Sequence, residues 1–187
     1  MTKRFFDFFL AIILLIILLI PMIIIGILIK ILSSGNALHW SDRIGKDNQI
    51  FKMPKFRTMI LDTPDVATHL LDNPDYFYTP IGRYLRRSSL DELPQLFSVL
   101  RGQMSFIGPR PALYNQDDLM QLRTKIGIHK LKPGITGWAQ VNGRDEIPIP
   151  EKVALEEEYL NNKSWRMDLY ILWLTFIKVI IRDNITH

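Results

Sequence analysis

Residues Phe8 to Ile29 carry no charged side chain and consist mostly of Ile and Leu. An apolar run of this length matches a hydrocarbon core of ~30 Å, so it commits the chain to a lipid-facing element. It is too long for the apolar core of a cleaved signal peptide, and no A-x-A site follows it. Pro21 interrupts the run near its middle, where a proline removes a helix hydrogen bond and bends the axis. Lys3 and Arg4 precede the run, and Lys30, Arg43 and Lys46 follow it. Basic flanks prefer the cytoplasmic side, which holds both ends on one face. A helix that enters, bends at Pro21 and returns to the same face satisfies both observations. A kinked helix that spans satisfies the first alone. The two readings stand side by side at this stage.

The chain of 187 residues has room for one domain plus this anchor, divided here as residues 1–32 and 33–187. Hydrophobic residues make up 48% of it, but a large share lies in the anchor, which leaves a remainder of ordinary soluble composition. A net charge of +4 suits an anionic partner such as a phosphorylated substrate, phospholipid or nucleic acid. No cysteine is present, which excludes disulfides and thiolate metal sites; the four histidines are scattered and form no zinc motif.

The stretch Ser88-Ser89-Leu90-Asp91-Glu92-Leu93-Pro94-Gln95-Leu96 carries the chemistry. It sets two adjacent carboxylates ahead of a helix whose apolar face is Leu93, Leu96, Phe97 and Leu100. Asp91 is placed as an N-cap, Glu92 in the first turn and Pro94 where a missing N–H costs nothing. Ser89-x-x-Glu92 also fits an ordinary capping box. With Arg86 and Arg87 just upstream, a carboxylate at a helix N-terminus is expected to have a depressed pKa. Neighbours on a helix point about 100° apart, so Asp91 and Glu92 have separate tasks. One attacks or binds an electrophile, while the other holds a metal or takes a proton.

Other stretches supply cations. Gln49 to Met59 is extended, and its Lys52, Lys55 and Arg57 form a candidate phosphate-facing surface or a solvated strand edge. Two prolines bracket Arg110 and present its guanidinium for bidentate phosphate contact. Lys132 to Arg144 is a glycine-punctuated strand that lets backbone approach an anion; its spacing fits neither a Walker loop nor a dinucleotide fingerprint. The acidic, proline-bearing segment Asp62 to Pro80 is expected to be a mobile excursion or lid. Helices are expected over Gln116 to Ile126, over Glu151 to Asn161, and from Trp165, capped by Ser164, to about Arg182. The last has Trp165, Tyr170, Trp173, Lys178 and Arg182 in the pattern of a helix lying in the interface. A buried core helix with a charged end fits the same composition.

The ordered set KFRTM (Lys55–Met59), SLDELPQL (Ser89–Leu96), MSFIGPRP (Met104–Pro111) and PGITGWAQVNGR (Pro133–Arg144), behind one apolar anchor, resembles the monotopic phosphoglycosyl transferases among the bacterial sugar transferases. The match covers nearly the whole chain and the family's small form. The resemblance implies an α+β fold: a re-entrant membrane helix broken at a proline, plus a small cytoplasmic catalytic domain with interfacial amphipathic helices. The proline corresponds to Pro21, although the family often has Ser before it and this chain has Ile20. It implies transfer of a sugar 1-phosphate from a UDP-sugar to polyprenyl phosphate at the inner membrane, with release of UMP and a requirement for Mg²⁺. By motif, Asp91 corresponds to the nucleophile that forms a phosphosugar–enzyme intermediate. Glu92 corresponds to the companion acid, and both are candidates to hold the metal. Lys55, Arg57, Arg86, Arg110, Gln140 and Arg144 are the expected substrate contacts. No nucleic acid is expected as a partner, and a homodimer is compatible with the pattern. The rival is a membrane-tethered module that binds anionic lipid or nucleic acid without turnover, for which Asp91 would be dispensable.

Overall fold

The computed structural model describes residues 2–64, 73–143 and 147–181. Helix α1 (Thr2–Leu32) is the long apolar segment, and its helical backbone continues through Pro21. Only one stripe of it is buried: Asp7, Ala11, Met22, Ile25 and Ile29 face the rest of the protein. The other faces leave Phe9, Ile13, Ile16, Ile20, Ile24 and Ile31 exposed.

Both ends of α1 are tied to the same body of protein. At the start, Lys3 Nζ donates to Asp168 Oδ2 and to Tyr159 Oη, each at 2.8 Å, and Arg4 reaches the Leu100 carbonyl at 2.6 Å. The amide of Phe106 donates to Asp7 Oδ1 at 3.2 Å. At the far end, Ile29 is fully buried in a cluster with Met22, Ile25, Phe56 and Leu85. A buried side chain of this size contributes about 1.5–3 kcal/mol. Arg57, itself buried, closes the helix by donating to the carbonyls of Ser33 and Ser34.

After the bend at Ser33–Gly35, strands β1 (Leu38–Ile44) and β2 (Ile50–Phe56) pair antiparallel, with His39 opposite Lys55 and Arg43 opposite Phe51. Side chains alternate between the faces of such a ribbon, so Lys52 and Lys55 cannot share one surface as the sequence suggested. Lys52 is exposed and pairs with Asp42 at 3.2 Å; Lys55 turns inward. Of the expected lid, residues 65–72 lie outside the described residues, and Pro74–Phe77 form a 3-10 turn. The base of that segment is fixed, since Thr79 N donates to the Thr58 carbonyl at 2.9 Å and Tyr78 bridges Met59.

Short elements follow: α2 (Gly82–Arg87), a 3-10 turn (Leu90–Gln95), α3 (Leu96–Leu100) and β3 (Ser105–Ile107). Then α4 (Asp117–Ile126) lies as expected, and β4 (Gly134–Thr136) runs parallel to β3. The glycine-punctuated strand is shorter than expected: the chain turns helical at α5 (Trp138–Asn142). Helix α6 (Ile149–Asn162) is locked to α4 by a buried pair in which Arg123 Nε donates to Glu156 Oε2 at 2.7 Å. Helix α7 (Trp165–Ile181) begins where Ser164 Oγ accepts from Met167 N at 3.3 Å. Its Ile171 is fully buried, while Trp165, Leu169, Trp173 and Phe176 form an exposed apolar stripe at helical spacing. The reading of α7 as a wholly buried core helix is therefore corrected. Lys178, expected to face lipid phosphate, donates instead to the Val141 carbonyl.

Candidate active site

Asp91 and Glu92 lie inside the 3-10 turn, and Asp91 is not an N-cap. Ser89 precedes the turn with φ 58°, in the left-handed region, and neither it nor any other side chain caps the turn. Pro94 lacks the N–H that a longer α-helix would need, and regular helix starts only at Leu96. A left-handed non-glycine residue costs about 1–2 kcal/mol. The turn that carries Asp91 and Glu92 packs against β2.

Glu92 meets two cations there. Lys55 Nζ and Arg110 Nη2 each lie 3.3 Å from its Oε1. Lys55 reaches it because β2 presents alternate residues to this side, and Arg110 because the loop after β3 is drawn tight against β4. That tightness requires glycine at two positions. A Cβ on Gly108 would stand 2.2 Å from the Lys132 carbonyl oxygen, and one on Gly134 would stand 2.1 Å from Gly108 N. The resulting cleft, about 200 Å³ including space open to solvent, is walled by Lys55, Glu92, Arg110, Arg43, Gln95 and Met53.

The two carboxyls are driven in opposite directions. Burial is the largest influence on both and opposes ionisation. At Glu92 the charges of Lys55 and Arg110, with their hydrogen bonds, outweigh it and hold the carboxyl at about 2. At Asp91 burial prevails, with the neighbouring Glu92 charge adding to it, and the carboxyl is pushed up to about 6 despite Lys55, Arg86 and Arg110. This reverses the depressed pKa expected from helix position, because the cost of burying the charge outweighs the nearby cations. Burial lowers the ammonium of Lys55, and the charges of Arg110 and Arg43 lower it further.

The other expected contacts divide. Arg86 donates to Thr58 Oγ1 at 3.0 Å, stacks over the Tyr78 ring at 5.5 Å, and its charge acts on Asp91. Arg57 is not brought to the cleft; it serves the end of α1. Gln140 sits on α5 and does not line the cleft, and its two amide atoms are buried without a hydrogen-bond partner among the described residues. Arg144 lies outside the described residues. Two polar wall residues, Arg43 and Gln95, were missed as site members. Arg43 was read only as a flank of the anchor, yet it shares the ribbon face of Lys55 and is held by the Pro111 carbonyl at 3.2 Å. Gln95, buried at the end of the 3-10 turn, follows the carboxylates by sequence alone.

For a divalent cation, Asp91 and Glu92 are the carboxylates at hand. Among the described residues no group of three or more metal-binding side chains exists. Two adjacent carboxylates fit Mg²⁺, which typically takes one or two and completes its shell with water and substrate phosphate. They do not form a closed protein cage.

Comparison with known proteins gives the family. The model of the family described as "Bacterial sugar transferase" matches residues 1–182. An uncharacterized sugar transferase of Bacillus subtilis, EpsL, is 40% identical over 187 residues, spanning 99% of this chain and 90% of that protein. An undecaprenyl-phosphate glucose phosphotransferase of Komagataeibacter xylinus is 38% identical over 98% of this chain, which spans 37% of that protein's length. The UDP-glucose:undecaprenyl-phosphate glucose-1-phosphate transferase of Escherichia coli is 39% identical over 95% of this chain, which spans 40% of its length.

Proposed function

The chain belongs to the bacterial sugar transferase family, and on that premise we propose that it moves a sugar 1-phosphate from a UDP-sugar to polyprenyl phosphate, with release of UMP. Two of the relatives are named for transfer to undecaprenyl phosphate, one of them with UDP-glucose as donor. The observation that carries the reading is the division of labour between adjacent carboxyls: Glu92 is neutralised by Lys55 and Arg110, and Asp91 is left poised near 6.

In the mechanism, an Asp91 oxygen attacks the sugar-bearing phosphorus. The bond from that phosphorus to the bridging oxygen breaks, and the oxygen leaves with UMP. The phosphosugar is then held on Asp91 until a phosphate oxygen of the lipid attacks the same phosphorus and frees the carboxylate. Covalent catalysis lets a soluble donor and a lipid acceptor use one site in turn. Lys55, Arg110 and Arg43 offset charge on the diphosphate, and Arg86 favours the ionised nucleophile. Glu92, fixed in place as an anion, holds Lys55 and Arg110 where the phosphates would bind. Asp91 and Glu92 would hold Mg²⁺, which supplies further neutralisation of phosphate oxygens when bound.

We place the site at a membrane surface, on the cytoplasmic face of the bacterial inner membrane, in keeping with the basic residues Lys3, Arg4 and Lys30 that flank the apolar run. A polar domain cannot sit on both sides of a bilayer, and α1 is tied to it at Lys3 and again at Ser33. That favours the re-entrant over the spanning reading, with the exposed stripes of α1 and α7 in lipid. Magnesium and UDP-sugar mixed with the enzyme alone should release about one equivalent of UMP and leave the protein heavier by one phosphosugar; polyprenyl phosphate should discharge it. No burst and no adduct from a preparation active with lipid would make Asp91 a metal ligand in a direct displacement.

A further inference from the structure

Thr58 and Met59 follow β2 directly, and Tyr78 and Thr79 come back to lie beside them just before α2. Met59 and Tyr78 form an antiparallel bridge, and Thr79 N donates to the Thr58 carbonyl at 2.9 Å. The first residue of α2, Gly82, abuts the same carbonyl: a Cβ there would stand 1.9 Å from the Thr58 oxygen. Long side chains on a helix point back toward its N-terminus. Arg86 is four residues after Gly82 and on the same face, so its side chain runs back over Gly82 to Thr58.

There Arg86 Nε donates to Thr58 Oγ1 at 3.0 Å, and Nη2 lies 3.5 Å from Met59 Sδ. The guanidinium carbon stands 5.5 Å from the centre of the Tyr78 ring, within the range at which a ring face attracts a cation. Arg83, earlier on α2, lies 5.9 Å from the same ring, but it is exposed and pairs with the equally exposed Asp75. Arg86 is half-buried, and its charge acts on Asp91, in the turn that packs against α2. A free arginine side chain samples many rotamers. Groups that fix it in the resting enzyme remove that cost from the reaction.

We propose that Tyr78 and Thr58 are positioning residues for the transfer: they hold the Arg86 guanidinium toward Asp91 before the donor binds. The proposal rests on the transferase reading above. Arg86 then meets the negative charge that gathers as the donor's diphosphate approaches the carboxylate, with no rearrangement of its own. Neither Tyr78 nor Thr58 touches substrate in this arrangement; both act through Arg86. Arg83 does not share the task, because an exposed ion pair of its kind is screened by solvent.

The test uses the full chain in detergent micelles. Tyr78→Leu removes the ring face, Tyr78→Phe keeps it, and Thr58→Val exchanges the hydroxyl for a methyl of similar size. In Tyr78→Leu and Thr58→Val, kcat for UMP release should fall roughly tenfold, with KM for the UDP-sugar changed less than about twofold. Tyr78→Phe should stay within about twofold of the wild type in both. Each loss should shrink to under about twofold in an Arg86→Gln background, where the shared partner is gone. A merely structural role would cost the same in either background. Relaxation of isotope-labelled arginine Nε–H groups reads the positioning without turnover. The Arg86 signal, identified by its loss in Arg86→Gln, should be rigid in the wild type and Tyr78→Phe. Its order parameter should drop below about 0.6 in Tyr78→Leu and Thr58→Val. Should Tyr78→Leu fail to fold, Thr58→Val decides alone. Undiminished losses in the Arg86→Gln background, a Tyr78→Phe as poor as Tyr78→Leu, or a rigid Arg86 in the folded variants would overturn the proposal. Absence of UMP release by the wild type counts against the transferase reading instead, while the order parameter still decides whether Tyr78 and Thr58 hold Arg86.

Discussion

Lys55 and Glu92 form a nearly buried ion pair, Nζ to Oε1 at 3.3 Å, with their side chains 17% and 19% exposed. Asp91, the adjacent residue, takes no part in it. Two carboxyls side by side in the chain thus have different electrostatic surroundings, which lets one remain a fixed anion while the other changes state during a reaction.

The first consequence is a pH profile. Asp91 must be ionised to attack, and burial holds its carboxyl at about 6. Single-turnover UMP release is expected to fall below pH 6 with a single ionisation, while Glu92, held at about 2, stays ionised throughout. Bound Mg²⁺ favours the carboxylate and moves the midpoint down. A midpoint that rises when Mg²⁺ is added would contradict this assignment.

Asp91→Asn is expected to abolish adduct and turnover while making the protein more stable. The Asp91 carboxyl is raised from 3.8 to about 6, so its contribution to stability is complete below pH 3.8 and is lost as pH rises through 6. A neutral side chain of the same shape escapes that loss, up to about 3 kcal/mol at neutral pH. Thermal melts should show the variant ahead at pH 7.5 and level with the wild type near pH 3.5. A lower Tm at pH 7.5 would mean that Asp91 has stabilising contacts.

Lys55→Met should do the reverse. Glu92 is lowered from 4.5 to about 2 against its burial, so the pair stabilises the fold above pH 4.5 and this is lost as pH falls through 2. Removing Lys55 leaves a buried carboxylate with Arg110 alone, a loss of roughly 3 kcal/mol. Denaturant titration at pH 7 measures it. Lys55→Met,Glu92→Gln should recover much of the stability but not the turnover.

The sequence and the structure part company at positions where the tertiary neighbour decides. Residues Phe8 to Ile29 could only be a long apolar helix, and α1 contains them. Gln116 to Ile126 had helical pattern, acidic residues at its start and Gly127 past its end, and α4 follows. Asp91 and Glu92 stand out in the sequence as adjacent carboxylates; their 3-10 backbone does not. Ser89 adopts a left-handed conformation that no sequence rule assigns to serine, and it converts an expected cap into a 3-10 turn. Arg57 lies two residues beyond Lys55 and was grouped with it, but the chain passes the end of α1 there and the guanidinium is claimed by helix carbonyls. Arg43 could have been found from the hairpin register, had Leu38–Ile44 been recognised as its partner strand.

The placement of Arg57 has its own expected outcome. Arg57→Gln removes the charged donor from the carbonyls of Ser33 and Ser34, which follow the last turn of α1. Net loss of such a charge-assisted hydrogen bond costs about 1.5–3 kcal/mol, less where water replaces the donor. Stability should fall, while KM for the UDP-sugar stays near the wild-type value. A large rise in KM with unchanged stability would return Arg57 to the substrate.

The topology of α1 should depend on its first turn. Lys3 donates to Asp168 and Tyr159, Arg4 to the Leu100 carbonyl, and Asp7 accepts from Phe106 N. Asp168 is 6% exposed, so without Lys3 its charge loses a partner 2.8 Å away. These ties hold residue 3 to the same domain that Ser33 joins, and they do so although the helical backbone of α1 runs on through Pro21. Pro21→Leu should therefore leave the N-terminus on the side of the catalytic domain. Lys3→Met with Arg4→Met removes the Lys3 and Arg4 ties and the basic flank, leaving only that of Asp7, and should send the N-terminus across the membrane in part of the population. The chain has no cysteine, so one introduced at Thr2 reports its side without background. Labelling with an impermeant thiol reagent should be domain-side in the wild type and in Pro21→Leu, and mixed in the double variant. If Pro21→Leu alone exposes residue 2 on the opposite side, the proline and not the polar latch sets the fold of the anchor.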